Sequence, residues 1–415
     1  MLVPLDAFQL ARRQLEIDRD RMREFPWLMP HKVELMRASA VGFLRGSAPL
    51  FYEILRSEPD LGDGPGGTGW ITGDLHLENF GAYRHDSLEG QELPKVVFNL
   101  NDFDEAVIGP WRFDMLRLVT SFVLAARGLG PSGPQIIESA EAMIDSYVAM
   151  AMGRTKVPEP PQPVRRLMEK VRDRSRKELL DQRTELVGGK RRFIRGKRFR
   201  SLGRKLTRKA RDAFNEYAKQ FTDLRTRLPH ALEIVDLAFR IAGTGSLGQL
   251  RVAVLVKGKG GPNGGWMFDM KEERAPAPSL LVDPRPIDPA ERVVRAIRTC
   301  LDVPLQKIGT TLLDGKSMFV RRLTPQEDRV NTRGMDFRGL AELAAYFAAL
   351  TGAAHRRGST HPPQPRWGRA ESGRVLDSAL VVAGIHESAY SAYCCLTQAA
   401  PRSRWRNAGA PSERG

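Results

Sequence analysis

The segment from Gly73 to Gly81 reads GDLHLENFG, and it follows the short apolar run WIT at residues 70–72. An apolar run next to a glycine-rich loop predicts a strand, so the segment should lie at a strand end. The run PKVVFNL at residues 94–100 predicts a second buried strand, which delivers Asp102 and Asp104 at its carboxyl end. Two acidic clusters therefore leave two strands that could be neighbours in one sheet.

The spacing of Asp74 and Asn79 suits phosphoryl transfer. That reaction needs a carboxylate to orient the attacking hydroxyl, oxygen ligands for Mg²⁺ and a cation on the phosphates. In kinase catalytic loops an aspartate with this spacing to an asparagine is the base, and the asparagine is a metal ligand. Asp102 would add a charged ligand, and a set without Cys or His clusters favours Mg²⁺ over zinc. We therefore predict Asp74 as the catalytic base and Asn79 and Asp102 as Mg²⁺ ligands.

Three neighbouring polar residues allow more than one role. His76 could be a ligand or an acid-base group, but we favour a structural role in which its ring holds the loop. Asp104 could assist the metal if the strand continues far enough to place it on the same face as Asp102. Asp114 lies in an apolar helical pattern, and we interpret it as a buried brace that accepts backbone N–H groups from the loop. Arg45 or Arg117 could pair with it or with its neighbours.

A glycine-rich turn, GTGSLG at residues 243–248, precedes an alternating β-type run. Such a turn lets backbone N–H groups approach phosphates, and Lys271 lies on the next predicted strand. In kinases a glycine-rich β-turn followed by a strand lysine covers the phosphates of ATP. The alternative is a simple hairpin with an exposed lysine. The predicted ATP-binding residues are Gly243, Gly245, Ser246, Gly248 and Lys271.

The lysine of a kinase is held by a glutamate of a nearby helix. Here the helix predicted over residues 286–301 offers Glu291, while Glu272 and Glu273 lie beside Lys271. The order of the pieces is reversed relative to kinases, because the base and metal residues come first. If both assignments hold, the chain is a circular permutation, which is possible because chain termini often lie close together at the surface.

A length of 415 residues exceeds the usual size of a single core, so we expect two lobes. Helical periodicity dominates residues 1–240, including a last helix over residues 229–240, and predicts a large helical lobe with the base and metal residues. Residues 241–330 predict a small β-rich nucleotide-binding lobe. Residues 331–400 predict helices that return to the helical lobe, and residues 401–415 a loose tail. The predicted fold class is α+β.

Composition and cysteine usage bear on the compartment. A hydrophobic share of 41% is ordinary for a globular protein, which argues against disorder. No stretch approaches the roughly eighteen apolar residues of a membrane span, and the N-terminal segment acquires charges too early for a secretory signal. The three cysteines fit neither a zinc spacing nor a disulfide framework. We expect a cytoplasmic protein without a transmembrane segment.

The formal net charge of +16 is distributed unevenly, since residues 190–209 hold eleven Lys or Arg. Such a block attracts polyanions, including nucleic acid, an anionic membrane or a phosphorylated substrate. The simpler interpretation is a solvated basic hairpin or loop. The candidate polyanion contacts are Lys190, Arg191, Arg192, Arg195, Lys197 and Arg198.

The chain resembles the bacterial family called domain of unknown function 2252, which is grouped with protein-kinase-like and aminoglycoside-phosphotransferase-like enzymes. The resembling segments, across about residues 40–355, are GFLRGSAPLFYEIL, GDLHLENFGAY, FNLNDFDEAVIGPWRFDMLRL, GTGSLG, MKEE, RVVRAIR, FVRRLTP and LTGAAHRRG. The resemblance implies a kinase-like fold with Asp74, Asn79 and Asp102 in the roles given above. Arg295 stands where a glutamate is expected, which weakens the predicted ion pair between the lysine and the helix.

Four functions fit these features to different degrees. The sequence favours a Mg²⁺-ATP phosphotransferase that acts on an unidentified hydroxyl acceptor. Arg295 favours a catalytically degenerate kinase-like nucleotide-binding protein, and residues 190–209 favour a basic nucleic-acid-associated protein. A metallophosphoesterase would use Asp74 and His76, but the remaining histidines do not offer the further ligands that such a dimetal site needs.

Overall fold

The beginning of the chain is mainly helical. The computed structural model describes residues 6–85, 95–221, 230, 232–258, 261–360 and 367–398. Asp6 and Ser39 cap the first and third helices by accepting backbone N–H groups. The five N-terminal helices are α1 (Ala7–Arg21), α2 (Met29–Arg37), α3 (Ala40–Gly46), α4 (Ala48–Ser57) and α5 (Pro59–Gly62).

Two short antiparallel ribbons follow these helices. The four strands are β1 (Thr68–Ile71), β2 (Phe80–His85), β3 (Lys95–Leu100) and β4 (Val107–Pro110). Strand β1 pairs with β4, and β2 pairs with β3. The strands before the two acidic clusters, β1 and β3, are therefore not hydrogen-bonded neighbours, contrary to one possibility raised by the sequence.

The middle of the chain contains five helices and a hairpin. These elements are α6 (Trp111–Arg127), α7 (Gly133–Ala151), α8 (Gln162–Arg172), α9 (Arg176–Arg183), the hairpin strands β5 (Thr184–Val187) and β6 (Lys190–Phe193), and α10 (Arg204–Ala218). Helix α6 is almost entirely buried, as its apolar sequence predicts. Helices α8 and α9 are separate, because Ser175 caps a new helix after the turn that ends α8.

A six-stranded antiparallel sheet forms the second part of the fold. Its strands are β7 (Phe199–Arg200), β8 (Ile234–Arg240), β9 (Arg251–Val256), β10 (Trp266–Glu272), β11 (Ile308–Leu313) and β12 (Lys316–Leu323). Their order across the sheet is β11-β12-β10-β9-β8-β7. Helix α11 (Pro289–Cys300) connects β10 to β11, and Asp288 caps it.

The two faces of this sheet differ, because successive side chains of a strand point to opposite faces. One face places Val252, Val254 and Phe268 in a core that also includes residues from α1 and α10. On the other face the same strands carry Arg251, Asp269 and Lys271, and Arg251 lies directly opposite Lys271 where β9 pairs with β10. Of these three charged residues, Arg251 lines the cleft described below, whereas Asp269 and Lys271 are buried behind its wall.

The last helices, α12 (Phe337–Arg357) and α13 (Arg369–Gln398), pack back onto the helical part. Helix α12 packs on α7, and α13 packs on α6 and α1. These contacts agree with the helices predicted to return to the helical lobe. The predicted tail at residues 401–415 lies outside the described residues. No helix in the described ranges is both long and apolar enough to cross a membrane.

The helix predicted over residues 229–240 is wrong for its described part, since Ile234–Arg240 forms β8. Leu237 and Phe239 of IVDLAFR enter the main core below the sheet, whereas Ala238 packs on the opposite face. That alternation is the period of a strand, and a short apolar run does not distinguish it from a helix. The sheet therefore begins before residue 241, the predicted start of the β-rich unit.

Candidate functional site

A cleft of about 520 Å³ is lined by residues of the helical part and of the six-stranded sheet. Its volume is within the range of ligand pockets, roughly 300–1,000 Å³. Six of the eight predicted site residues line it. They are Asp74, Asn79, Asp102, Gly243, Gly245 and Ser246. The structure therefore brings together two segments that are far apart in sequence.

The loop that carries Asp74 is fixed from below by a buried carboxylate. Asp114 accepts hydrogen bonds from the Thr72 N–H at 2.7 Å and the Gly73 N–H at 2.9 Å. The Tyr52 hydroxyl donates to the Gly73 carbonyl at 2.7 Å. Gly73 has a φ of +75°, in the left-handed region that favours glycine. The brace predicted for Asp114 is confirmed.

Sequence reasoning missed a histidine beneath this brace. The His355 Nε2 lies 3.1 Å from Asp114 Oδ2, and its Nδ1 lies 2.9 Å from the Tyr147 hydroxyl. The Trp111 ring stacks on the imidazole with 5.6 Å between centroids. These residues come from α6, α7 and α12, so they tie three helices to the loop. The available signal was a histidine at a buried position of an apolar helical pattern.

Arg117 holds the side chain of Asp74 through one of its two carboxylate oxygens. The Arg117 Nε donates to Asp74 Oδ1 at 2.8 Å, and Arg117 Nη2 also contacts this oxygen. Burial raises the pKa of Asp74 to about 6, although the Arg117 charge opposes the shift, while Glu105 and Asp102 add to it. Its side chain keeps 19% of its accessible surface. Asp74 is therefore a fixed carboxylate that gains and loses a proton close to neutral pH.

The second oxygen of Asp74 faces the glycine turn. A Cβ atom placed on Gly245 would lie 3.6 Å from Asp74 Oδ2 and 3.2 Å from the Arg45 carbonyl oxygen. A larger side chain at this position would therefore fill the space between the turn and the carboxylate. The glycine turn and the predicted base lie directly opposite each other.

His76 has the structural role that the sequence favoured. Its Nδ1 accepts the Glu78 N–H at 3.1 Å, which leaves the ring proton on Nε2. Burial lowers the pKa of His76 well below its usual value, so the ring is neutral. The Asn79 Oδ1 accepts the His76 N–H at 2.7 Å. A carboxamide oxygen has two lone pairs, so this bond leaves Asn79 able to accept a metal ion as well.

Asn79 also joins the two acidic segments. Its carbonyl oxygen accepts the Asn101 N–H at 2.9 Å, which places Asp102 next to the loop. Asp102 is exposed in the cleft and accepts the Asp104 N–H at 3.4 Å. Among the described residues, no group of three or more His, Cys, Asp or Glu side chains could hold a metal ion. Asp102 and Asn79 fit Mg²⁺ if substrate oxygens and water complete its shell.

Lys271 lies behind the cleft wall rather than on its surface. The side chain is 5% exposed and forms an ion pair with Asp104, which does line the cleft. The Glu273 Oε1 lies 3.8 Å from the Lys271 Nζ. Burial raises the pKa of Glu273 to about 7, although the charges of Lys271 and Arg292 oppose the shift. Contact between Lys271 and ATP remains a prediction.

The glutamate of α11 is not the partner of Lys271. Glu291 instead accepts a hydrogen bond from Arg295 at 2.8 Å on the surface of the helix. The same helix uses Arg292 to reach the cleft wall, where its Nη2 donates to the Asp104 carbonyl at 2.7 Å. Among the alternatives raised by the sequence, Glu273 is the glutamate that lies near Lys271.

The glycine turn is held in place by contacts on the side away from the cleft. Gly248 has a φ of +96°, and a Cβ on it would lie 2.8 Å from the Arg21 carbonyl oxygen, so it serves close packing rather than the cleft. The Lys32 Nζ donates to the Thr244 carbonyl at 2.9 Å and lies 3.4 Å from Asp18. Burial lowers the pKa of Lys32. No motif in the sequence marks this lysine, because its partners come from distant segments.

The basic segment divides into buried and exposed residues. Arg191 is buried, and its guanidinium donates to Thr184, Asp181, Asn263 and the Pro262 carbonyl. Its assignment to a polyanion surface is therefore corrected to a structural role. The other five candidates are exposed, and polyanion contact through them remains a prediction.

Two of the exposed candidates have a defined setting. Arg195 is hydrogen-bonded to Asp236 at 3.1 Å, which ties it to strand β8. Arg198 lines the cleft, so its charge faces the candidate site rather than an open surface.

Comparison with known proteins identifies the family. Searches of curated proteins and of solved structures found no match. A family model matches residues 23–394, which include all eight predicted site residues. The chain therefore belongs to the family described as "Uncharacterized protein conserved in bacteria (DUF2252)".

Proposed function

We propose that the protein is a Mg²⁺- and ATP-dependent phosphotransferase of the kinase-like kind, acting on a hydroxyl acceptor. The observation that carries this proposal is the position of the glycine turn opposite Asp74. A Cβ atom added to Gly245 would lie 3.6 Å from Asp74 Oδ2. A carboxylate, an amide oxygen and a glycine-rich turn in one cleft are the parts that phosphoryl transfer requires.

In this proposal Asp74 orients the acceptor hydroxyl and accepts its proton. Arg117 fixes Oδ1, so Oδ2, which faces the glycine turn, is the atom that would receive the proton. A pKa of about 6 leaves the carboxylate ionised at neutral pH and still basic enough to work. The brace of Asp114 keeps the loop, and therefore the carboxylate, in one position.

Asp102 and Asn79 would hold the metal ion, which would neutralise the charge of the transferred phosphoryl group when bound. The exposed carboxylate of Asp102 is available for this role. Lys271 supports the same wall by pairing with Asp104. Direct contact of Lys271 with phosphate would require it to exchange Asp104 for the ligand.

The arrangement of the chain supports a circularly permuted two-lobe fold. The acidic segments precede the sheet that carries the glycine turn, which is the reverse of the kinase order. Helix α1 packs against α13, so the first and last helices of the described chain are neighbours. A permuted chain needs nearby termini.

A degenerate nucleotide-binding protein is the second candidate. The observations that favour it are the ion pair that holds Lys271 away from the cleft surface and the engagement of Glu291 by Arg295. This candidate predicts Mg²⁺-dependent ATP binding without turnover. The phosphotransferase predicts both.

Calorimetry and a turnover assay separate these functions. We expect Mg²⁺-dependent ATP binding that is lost in Asp102→Ala, and ATP turnover that is lost in Asp74→Asn. The matched control is Asp145→Asn, an exposed aspartate of α7. Binding without turnover in the unmodified protein would favour the degenerate protein. Absence of ATP binding would rule out both.

A further inference from the structure

The cleft is lined by arginines in one part, in addition to the acidic residues described above. We call this part the basic end. Its wall there is built from the end of α9, the segment before β7, the facing ends of β8 and β9, and β12. The five basic side chains that line this end are Arg183, Arg198, Arg240, Arg251 and Arg321. They converge from five separate parts of the chain, so no local sequence motif marks them.

Two carboxylates balance only part of this charge. The Arg251 Nε lies 3.0 and 2.9 Å from the two oxygens of Asp269, and the Arg240 Nη1 lies 2.6 Å from its Oδ2. Asp269 is 1% exposed, so both arginines are committed to a buried partner. The Arg321 Nη1 lies 3.1 Å from Glu327. Among the described residues, the ion pairs of these five arginines involve these two carboxylates, so the arginines outnumber their directly paired carboxylates by three.

The surplus includes donors that lack partners. The Nε and Nη1 of Arg183 are buried, and no acceptor within the described ranges is hydrogen-bonded to either atom. The pKa of Arg183 is lowered, first by burial and also by the charge of Arg198. Burial likewise lowers the pKa of Arg240 to about 10, and Arg251, Arg321 and Arg183 act in the same direction. Buried donors and like charges without partners are unfavourable unless a ligand satisfies them.

We propose that this arginine end of the cleft is a phosphate-binding subsite that works without a metal ion. Arginine is suited to it because the planar guanidinium matches the oxygens of phosphate in a two-pronged geometry. The inference of phosphate binding rests on these arginines and not on the proposed function. Only the identity of the molecule that carries the phosphate rests on the proposed function, and that molecule is either the nucleotide or a phosphorylated acceptor.

Phosphate binding can be measured on the full chain with neither nucleotide nor Mg²⁺ present. Calorimetric titration with inorganic phosphate should show binding that Arg198→Ala weakens by at least about tenfold, as loss of a charge-assisted hydrogen bond predicts. Arg198 is exposed, so its removal should leave the fold intact. The matched control is Arg166→Ala, which removes an exposed arginine of α8 outside the cleft and should leave binding unchanged.

A second variant tests the cleft independently of Arg198, while Arg166→Ala controls for the loss of one positive charge. Arg321→Gln should also weaken phosphate binding, and its thermal unfolding should remain cooperative. The proposal is overturned if phosphate does not bind, if both cleft variants bind as the unmodified protein does, or if Arg166→Ala weakens binding equally.

Two further arms separate this subsite from the proposed enzyme and identify the source of the phosphate. Asp102→Ala should keep phosphate binding even though it loses Mg²⁺-ATP, so failure of ATP binding leaves the subsite standing. Titration of phosphate into protein saturated with Mg²⁺-ATP distinguishes the sources. Loss of the phosphate signal assigns the subsite to the nucleotide, and retention assigns it to the acceptor.

Discussion

Asp74 is the residue at which burial and charge act in opposite directions. Burial raises its pKa to about 6, and Arg117 opposes the shift. Because the base must be ionised, ATP turnover should rise as the pH increases from 5 to 7, with an inflection near 6. The folded state holds this proton more tightly than the unfolded chain, so stability should fall as the pH rises from about 4 to 6. The measurements are a pH–rate profile and unfolding at several pH values.

Arg117→Leu is the informative companion variant. It removes the largest of the effects that lower the pKa of Asp74, so the inflection should move to higher pH. A merely structural role of Arg117 would reduce turnover at all pH values without moving the inflection. A flat profile between pH 5 and 8 in the unmodified protein would contradict the assignment of Asp74 as the base.

Gly73 is constrained both by its backbone and by its surroundings. Its φ is +75°, and an added Cβ would lie 2.1 Å from the Glu105 carbonyl oxygen. We expect Gly73→Ala to lower the free energy of unfolding by about 1–3 kcal/mol, because the new side chain strains the backbone and displaces the loop. Gly66→Ala is the matched control, because a Cβ there meets no atom within 4 Å. Urea unfolding of both variants checks the prediction, and equal stabilities would refute it.

For individual residues, the sequence could predict the roles that depend on neighbours in the chain. Asp74, Asn79 and Asp114 were assigned from their spacing and from the helical pattern, and the structure places the first two in the cleft and the third beneath the loop. The pair between Asp104 and Lys271 could not be predicted in the same way. It depends on how the turn between β3 and β4 meets β10, which no residue pattern along the chain encodes.

The position of the glycine turn depends on a helix rather than on its own sequence. The Lys32 Nζ donates to the Thr244 carbonyl and, at 3.0 Å, to the Gly46 carbonyl. Lys32→Met removes both bonds and leaves buried Asp18 without its cation, so stability should fall by about 3–5 kcal/mol. Amide exchange of residues 243–248 should accelerate beyond this global effect. Hydrogen-exchange mass spectrometry provides the measurement.

The control for this element is Lys170→Met, on the exposed surface of α8. It makes the same substitution without removing a buried contact, so stability should change by less than about 0.5 kcal/mol. Unchanged exchange of the turn in Lys32→Met would show that the turn is held by its own strands. In that case α2 would not position the turn.

Among the elements, long helices with a continuous apolar face were the most predictable. The apolar helical pattern around Asp114 forms α6, which spans Trp111–Arg127. The strand β8 was mistaken for a helix because seven residues carry too few repeats to separate the two periods. The edge strand β7 has two residues, Phe199 and Arg200, and its pairing with β8 is set by tertiary contact rather than by pattern.

At the scale of the molecule, residues far apart in sequence share the apolar cores. One core contains residues from Leu44 to Ala383, and the other contains residues from Ala11 to Tyr393. The second core also receives the inner face of the sheet, including Val252 and Phe268. The sequence predicted two lobes from length and composition, but composition does not report that their side chains enter a common core.

Helix α13 provides the test of this shared core, because it contributes to both: Val382 enters the first and Tyr393 the second. Tyr393 is fully buried, with its ring 5.2 Å from that of Phe43. We expect Tyr393→Ala to lower the free energy of unfolding by about 3–5 kcal/mol. Val381→Ala is the matched control on the same helix, since Val381 is 50% exposed and should change stability by less than about 0.5 kcal/mol.

The number of unfolding transitions of Tyr393→Ala is more informative than the midpoint of unfolding. If the sheet and the helices depend on one another, Tyr393→Ala should shift a single transition in which far-ultraviolet circular dichroism and tryptophan fluorescence remain coincident. Two separated transitions, with strands β9 and β10 still protected from hydrogen exchange after the helices unfold, would mean that the sheet folds as an independent lobe. Because the cleft is lined from both parts, such independence would also allow it to open and close by movement of one part against the other.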